Sequence, residues 1–183
     1  MSIPPNSQHT SDFKWFHVVL TTYGAWPPGD RRGFRTRLHR EHIDGDYKKP
    51  PPRDRYQARE IWCRSLLQQA PVVIPRTLRP NVGGFVRDKL QRCGALVVCI
   101  AVAGQHIHFL AKMPKKSVRH WSGLAKKHTT FELRRLGWKG KVWGVRCKVV
   151  PIRDRGHQLN VYTYIVRHRQ KGAWVWNWKP PTS

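Results

Sequence analysis

The chain has 183 residues, enough for one compact domain with an ordinary core and too few for two independent domains of usual size. Its 35 Lys and Arg against 10 Asp and Glu give a formal net charge of +25, which attracts polyanions and makes nucleic acid the first partner to consider. The longest apolar run, ALVVCIAVA at 95–103, is too short to span a bilayer, and the polar start with its prolines is not typical of a signal peptide.

The first half of the chain predicts one strand followed by an irregular insertion. Residues 1–12 are polar and are expected to be flexible. The segment FKWFHVVLTTYG, at 13–24, is rich in β-branched and aromatic residues and ends on glycine, which predicts the first strand. The proline-rich, basic stretch at about 27–79 breaks this pattern, so we expect an insertion laid over the core, with one helix at about 54–69.

Regular elements are predicted from residue 80 onward. The segment PNVGGFVRDKLQRCG, at 80–94, predicts a helix that ends at Gly94. The following ALVVCIAVAGQHIHFLAKMP predicts two strands that meet at residues 103–104, the first of them too apolar on both faces to be an edge strand.

The last third predicts a helix, a strand and a helix. The first helix runs from an N-cap at Ser117 to about residue 136, the strand covers 142–152 and the final helix covers 157–174. The order of elements matches the split βαβ motif, so we predict an α+β, ferredoxin-like sandwich with an antiparallel sheet and helices on one face. This single domain would span 13–176, with a tail at 177–183.

Two histidines in the predicted third strand are candidate metal ligands. Side chains two residues apart in a strand project from the same face, so His106 and His108 can present nitrogens to one ion. Alone, such a pair is as often a pair of surface residues as a pair of ligands. Tyr164 and His168, four apart on the final helix, share a helical face and add a hydroxyl nucleophile and a third nitrogen.

These residues occur in a specific family pattern. His106-Ile107-His108 resembles the His-hydrophobe-His (HUH) motif of single-tyrosine (Y1) transposases of the insertion-sequence-200 type, particularly those associated with repetitive extragenic palindromes (REP). In that family a W-x-x-R-x-K strand precedes the helix tyrosine, which comes eighteen residues after the arginine. The matching positions here are Trp143, Arg146, Lys148 and Tyr164.

The resemblance covers about 13–26 and 80–176, with two departures. The position four beyond the tyrosine is usually an amide in the family, and it is His168 here. An imidazole still ligates through nitrogen, but its ion preference and pH response differ from those of an amide. The insertion at 27–79 is the other departure, so substrate preference does not transfer.

The resemblance implies a reaction. A divalent ion, Mg or Mn, held by His106, His108 and His168, would polarise a phosphodiester of single-stranded or hairpin DNA, and Tyr164 would attack it to leave a 5′-phosphotyrosine and a free 3′-hydroxyl. Imidazoles would bind zinc at least as well. The family commonly works as a homodimer, and the sequence does not decide whether Tyr164 serves its own histidines or those of a partner.

Basic side chains would hold the DNA through its phosphates. The candidates come from the insertion, the helix at 117–136, the strand at 142–152 and the final helix: Arg31, Arg32, Arg119, Lys126, Lys127, Arg146, Lys148 and Arg167.

Other functions and settings follow from the same residues. Two-metal nucleases need clustered carboxylates, and beyond Asp88 the chain offers only Glu132 and Asp154. A non-catalytic DNA-hairpin or RNA-binding module of the same fold stays open because of His168.

The four cysteines form no CxxC pair and predict neither a zinc site nor a disulfide. This fits a reducing cytoplasm and, for a DNA-acting protein, the nucleoid.

Overall fold

A five-stranded antiparallel sheet forms the centre of the molecule. The computed structural model describes residues 12–30, 34, 52 and 54–178. The strands are β1 (Phe13–Thr22), β2 (Leu96–Val102), β3 (His106–Pro114), β4 (Trp143–Pro151) and β5 (Trp174–Asn177). Their spatial order is β4-β1-β3-β2-β5, so β1, β3 and β2 are interior strands. The prediction that β2 is not an edge strand is confirmed.

Strand β1 shows how the sheet separates its two faces. Phe16, Val18 and Leu20 alternate along it and are buried in the main core. The residues between them therefore project from the opposite face of the sheet, where Trp15 packs against a second, smaller core. His17 is one of the β1 residues that project from this opposite face.

Helices α2 (Arg79–Arg92) and α3 (Val118–Arg135) cover the first face. Each contributes an apolar stripe to the main core, including Val86 and Leu90 from α2 and Ala125 and Leu133 from α3. No helix in the described part of the chain is long and apolar enough to cross a membrane.

Helix α4 (Arg155–Arg167) covers the other face. Its buried Val161 and Ile165 pack on Cys99, Ala101 and Leu110 of the sheet. The ferredoxin-like α+β prediction is confirmed, but its placing of the helices on one face is corrected. The main-core face of the sheet is already filled by α2 and α3, so the apolar stripe of a third helix is buried on the opposite face.

Several local predictions need correction. Ser117 stands before α3, yet its side chain makes no capping hydrogen bond. The predicted final helix ends earlier, because a 3₁₀ turn at His168–Lys171 and Gly172, with φ of 76°, lead into β5. Two large aromatic side chains, Trp62 and Phe131, are exposed and take no part in the core. Helix α1 (Gln57–Ser65), within the predicted 54–69, has no buried residue.

The end of the predicted insertion contributes to the core. Val72 and Ile74 are buried, and their amides donate to the carbonyl oxygens of Tyr23 (2.9 Å) and Gly104 (2.7 Å). All four cysteines are free thiols, and Cys99 is buried. The residues expected to be flexible, 1–12, lie outside the described part of the chain apart from Asp12.

Two adjacent glycines of α2 are expected to respond oppositely to alanine. A Cβ on Gly83 would lie 2.0 Å from the Trp174 ring, whereas one on Gly84 would meet nothing within 4 Å. Alanine gains about 1 kcal/mol of helix propensity over glycine at either site. At Gly83 this gain is outweighed by overpacking against a rigid ring, which costs about 1–3 kcal/mol.

Urea unfolding would check this expectation. Gly83→Ala should lower the unfolding midpoint, and Gly84→Ala should raise it or leave it unchanged. Equal midpoints for the two variants would show that the ring does not constrain position 83.

Candidate active site

Strand β3 carries two histidines toward α4. Ile107 and Phe109 are buried in the main core, so His106 and His108 project from the opposite face. Their ring centroids lie 4.8 Å apart. His106 is partly exposed at the start of the strand, whereas His108 is buried, with 6% of its surface exposed.

Helix α4 brings a tyrosine and a third histidine to the same place. Asp154 caps the helix N-terminus, its Oδ1 accepting from the His157 amide at 2.7 Å, and so fixes where the helix begins. Tyr164 is about half exposed (49%), and His168 is buried. The rings of Tyr164 and His168 lie 4.7 Å apart, and the His168 Nδ1 is 2.9 Å from the Tyr164 carbonyl oxygen.

The three histidines form a cluster suited to a metal ion. The candidate ligand atoms of His106, His108 and His168 all lie within 4.8 Å of one another, and no other such group occurs among the described residues. The rings of Tyr164 and His108 are 5.4 Å apart. One chain therefore supplies all four predicted residues, so a second copy is not needed to complete the cluster.

The hydrogen bond of His168 determines which of its nitrogens is available. A carbonyl oxygen can only accept, so the Nδ1 facing Tyr164 carries the proton. The lone pair of His168 then lies on Nε2, and that atom is left for an ion.

A fourth histidine, which the sequence did not identify, lies behind the cluster. The Nε2 of His17 on β1 is 3.0 Å from the Nδ1 of His108. The ring of His17 also lies 6.0 Å from that of Tyr164. The available signal was the alternation of β1, which places His17 on the strand face opposite Phe16, Val18 and Leu20.

Burial keeps two of these imidazoles neutral. It is the main cause of the lowered pKa of His108, about 2, and of His17, about 4. Nearby cationic or ionisable groups lower both pKa values further, and Lys148 and His168 contribute to both. The pKa of His108 is also lowered by His106 and His17. The pKa of His17 is also lowered by His157. Neutral imidazole is the form that binds metal ions.

The metal-free protein is expected to lose stability as the pH falls below 6.5. Below pH 6.5 the unfolded chain takes up protons on His17 and His108, whereas the folded chain keeps both imidazoles neutral down to about pH 4. Because the unfolded chain binds more protons, the free energy of unfolding falls as the pH falls. Thermal unfolding in a chelator between pH 7.5 and 4.5 would measure this loss. A His17→Phe/His108→Phe double variant should show a shallower decline, and an unchanged slope would contradict the assignment.

The predicted phosphate contacts lie on two different faces. Cys147 and Val149 face the main core, so Lys148 between them projects toward the histidine side, where its charge lowers the pKa of His17 and of His108. Lys148 is exposed, as are Arg146, next to an irregularity in the pairing of β4 with β1, and Arg167 at the end of α4.

The basic residues of α3 lie across the sheet from the histidines. Arg119 donates to the Cys147 carbonyl at 3.1 Å, and Lys126 donates to the carbonyl oxygens of Gly144 and Val145. Both side chains therefore hold the edge strand β4, and Lys127 is exposed. DNA contacts by this face remain a prediction. Arg31 and Arg32 lie outside the described residues.

An aromatic side chain borders the cluster. The rings of Trp26 and His106 lie 5.4 Å apart. Trp26 is not among the predicted site residues, although it ends the first segment covered by the family resemblance.

Comparisons with known proteins bear on the fold. No protein-family model and no curated protein matches the chain. A REP-associated tyrosine transposase, solved bound to a REP hairpin, superposes with a TM-score of 0.50 at 13% identity, over 93% of this chain and 74% of that one. A protein assigned as a transposase from Deinococcus radiodurans R1 gives a TM-score of 0.44 at 12% identity, and the match covers 91% of this chain and 97% of that one. The chain has the fold of a single-tyrosine transposase of the kind associated with these palindromes.

Proposed function

We propose that the protein is a metal-dependent endonuclease and strand transferase that acts on single-stranded or hairpin DNA through a tyrosine nucleophile, with transposase-like chemistry. The observation that carries the proposal is the convergence of Tyr164 with His106, His108 and His168 on one face of the sheet. Two elements that are distant in sequence, β3 and α4 with its C-terminal cap, supply the four side chains, and a structural role would not require this combination.

The donor set fits a divalent ion. Three imidazoles, with no carboxylate grouped with them in the described chain, form a nitrogen-rich site that suits Zn²⁺ better than Mn²⁺ or Mg²⁺. A divalent ion held there would supply Lewis-acid polarisation of the scissile phosphodiester. The family resemblance implies Mg²⁺ or Mn²⁺, and Mn²⁺ is the transition-metal ion of the two and accepts nitrogen ligands more readily, so it is the ion to test first.

The side chain of Tyr164 performs the covalent step. Its Oη attacks the phosphorus and loses its proton, and the bond from phosphorus to the 3′-oxygen breaks. The departing oxygen takes up a proton and becomes a free 3′-hydroxyl, while the 5′-phosphate remains on the tyrosine. The phosphotyrosine bond preserves the energy of the original diester, so the reverse attack by another 3′-hydroxyl rejoins the strand.

The charge of the chain supports a DNA substrate. A net charge of +25 favours binding to a polyanion, and the exposed Lys148 lies on the face of the sheet that carries the cluster. The structural neighbour that was solved with a hairpin supports folded single strands as the substrate class. A protein with this activity would act in the cytoplasm, at the nucleoid.

The test is to capture the covalent intermediate. Labelled single-stranded and hairpin oligonucleotides from the genomic flanks of the gene would be incubated with the protein and Mn²⁺, Mg²⁺ or a chelator, and then separated on denaturing gels. We expect an ion-dependent protein–DNA adduct, with the nucleotide mapped to Tyr164 by mass spectrometry. Tight binding without cleavage or adduct under every condition would instead support the non-catalytic binding module.

A further inference from the structure

The contact between His17 and His108 gives His17 a function at the cluster. Strand β1 pairs with β3 so that Val19 lies opposite His108 and His17 lies opposite Leu110. His17 is thus the diagonal neighbour of His108 on the same face, a position from which long side chains reach each other. The two rings meet through the Nε2 of His17 and the Nδ1 of His108, at 3.0 Å.

An imidazole pair at this distance forms a hydrogen bond only if one nitrogen carries a proton and the other a lone pair. His108 has its Nδ1 engaged with His17, so its Nε2 is the atom left for an ion. A ligating Nε2 requires a lone pair there and therefore a proton on Nδ1 in the neutral ring. His108 is then the donor and His17 the acceptor.

The same arrangement occurs at His168, whose Nδ1 donates to the Tyr164 carbonyl oxygen. Two of the three candidate ligands thus have Nδ1 bonded within the protein, which leaves Nε2 of each for the ion. A backbone carbonyl fixes one ring and a side chain fixes the other. Partners of this kind orient metal-binding histidines, and their loss typically costs about 10–100-fold in metal affinity.

We propose that His17 is a positioning residue that accepts a hydrogen bond from His108 Nδ1 and thereby holds His108 with its Nε2 lone pair toward the metal site. The proposal rests on the function proposed above, because it assumes that the three histidines bind an ion. It does not require that DNA be cleaved.

The experiment compares two substitutions at position 17 in the full chain. His17→Phe keeps a ring of similar size and removes the acceptor, whereas His17→Gln places an amide oxygen near the position of Nε2. Mn²⁺ affinity would be measured by calorimetry without DNA, and the protonated nitrogen of His108 by NMR of the ¹⁵N-labelled, metal-free protein. Unfolding midpoints would be recorded for each variant.

We expect wild-type His108 to carry its proton on Nδ1. His17→Phe should bind Mn²⁺ about 10–100-fold more weakly, and His17→Gln should recover most of that loss. The proposal is overturned if wild-type His108 is protonated on Nε2, if the wild type binds no Mn²⁺, or if His17→Phe binds as tightly as wild type. It also fails if the glutamine variant is as weak as the phenylalanine variant, since ring packing would then be the cause.

The outcomes separate this proposal from the proposed function. A wild-type protein that binds Mn²⁺ with the expected His108 proton, but forms no adduct with DNA, refutes the endonuclease and leaves the role of His17 standing. An active enzyme whose Mn²⁺ affinity is unchanged in His17→Phe refutes the role of His17 alone. If His17→Phe does not fold, the NMR measurement on the wild type and the Mn²⁺ affinity of His17→Gln still test the role of His17.

Discussion

Tyr164→Phe is expected to abolish the protein–DNA adduct and to slow strand cleavage by on the order of 10⁴-fold or more, the scale seen when a nucleophile is removed. The substitution deletes one oxygen from a ring that packs against His168 and His108 and leaves those ring contacts in place. DNA affinity and Mn²⁺ affinity should therefore stay within about twofold of wild type. The measurements are single-turnover cleavage rates and equilibrium binding on the same hairpin.

The matched control for this variant is Tyr162→Phe. Tyr162 is also on α4, two residues earlier, but it packs partly buried against the second core with Ile165 and Leu110. Its loss should leave the rate of adduct formation near that of wild type. An adduct that persists in Tyr164→Phe would place the nucleophile on another residue and refute the assignment of Tyr164.

His106→Ala is the second substitution with a large expected effect. It removes one of three nitrogen donors, so we expect Mn²⁺ affinity to fall by about 100-fold or more and cleavage at low ion concentration to be lost. His106 is a clearer test than His108, because it is partly exposed at the start of β3 whereas His108 is buried and bonded to His17. Calorimetry with Mn²⁺ and cleavage rates across an ion titration would measure both effects.

His120→Ala provides the control for the histidine substitution. It removes an exposed imidazole from α3, on the opposite side of the sheet, and should change neither ion affinity nor cleavage. High Mn²⁺ concentration should restore part of the activity of His106→Ala, since two donors remain. If His106→Ala bound Mn²⁺ as tightly as the wild type, the ion would bind at a site that does not include His106.

The sequence alone predicted the order of the elements from β1 to α4 and the four residues of the cluster, but neither β5 nor the contact of His17. Alternating and helical apolar patterns are local properties, so they located β1 to β4 and helices α1 to α4 to within a few residues, except that α4 was predicted to end at residue 174 and ends at Arg167. His106 and His108 are two residues apart, so in a strand their side chains project from the same face. Tyr164 and His168 are four residues apart, so in a helix they lie on the same face. The excess of positive charge is a property of composition, and it indicated a polyanionic partner before any fold was known.

Only the tertiary structure decided which faces meet. Packing of α4 on the sheet face opposite α2 and α3 is what brings Tyr164 and His168 onto the histidines of β3, and helical periodicity contains no information about which sheet face a helix covers. Likewise, His17 reaches His108 only through the register of β1 against β3, which joins residues 91 positions apart. The bonds of Arg119 and Lys126 to backbone carbonyl oxygens of β4 likewise join residues that are distant in sequence, and DNA contacts by these two side chains remain a prediction. Long-range pairings such as these depend on packing of the whole chain, which is why local sequence patterns did not predict them.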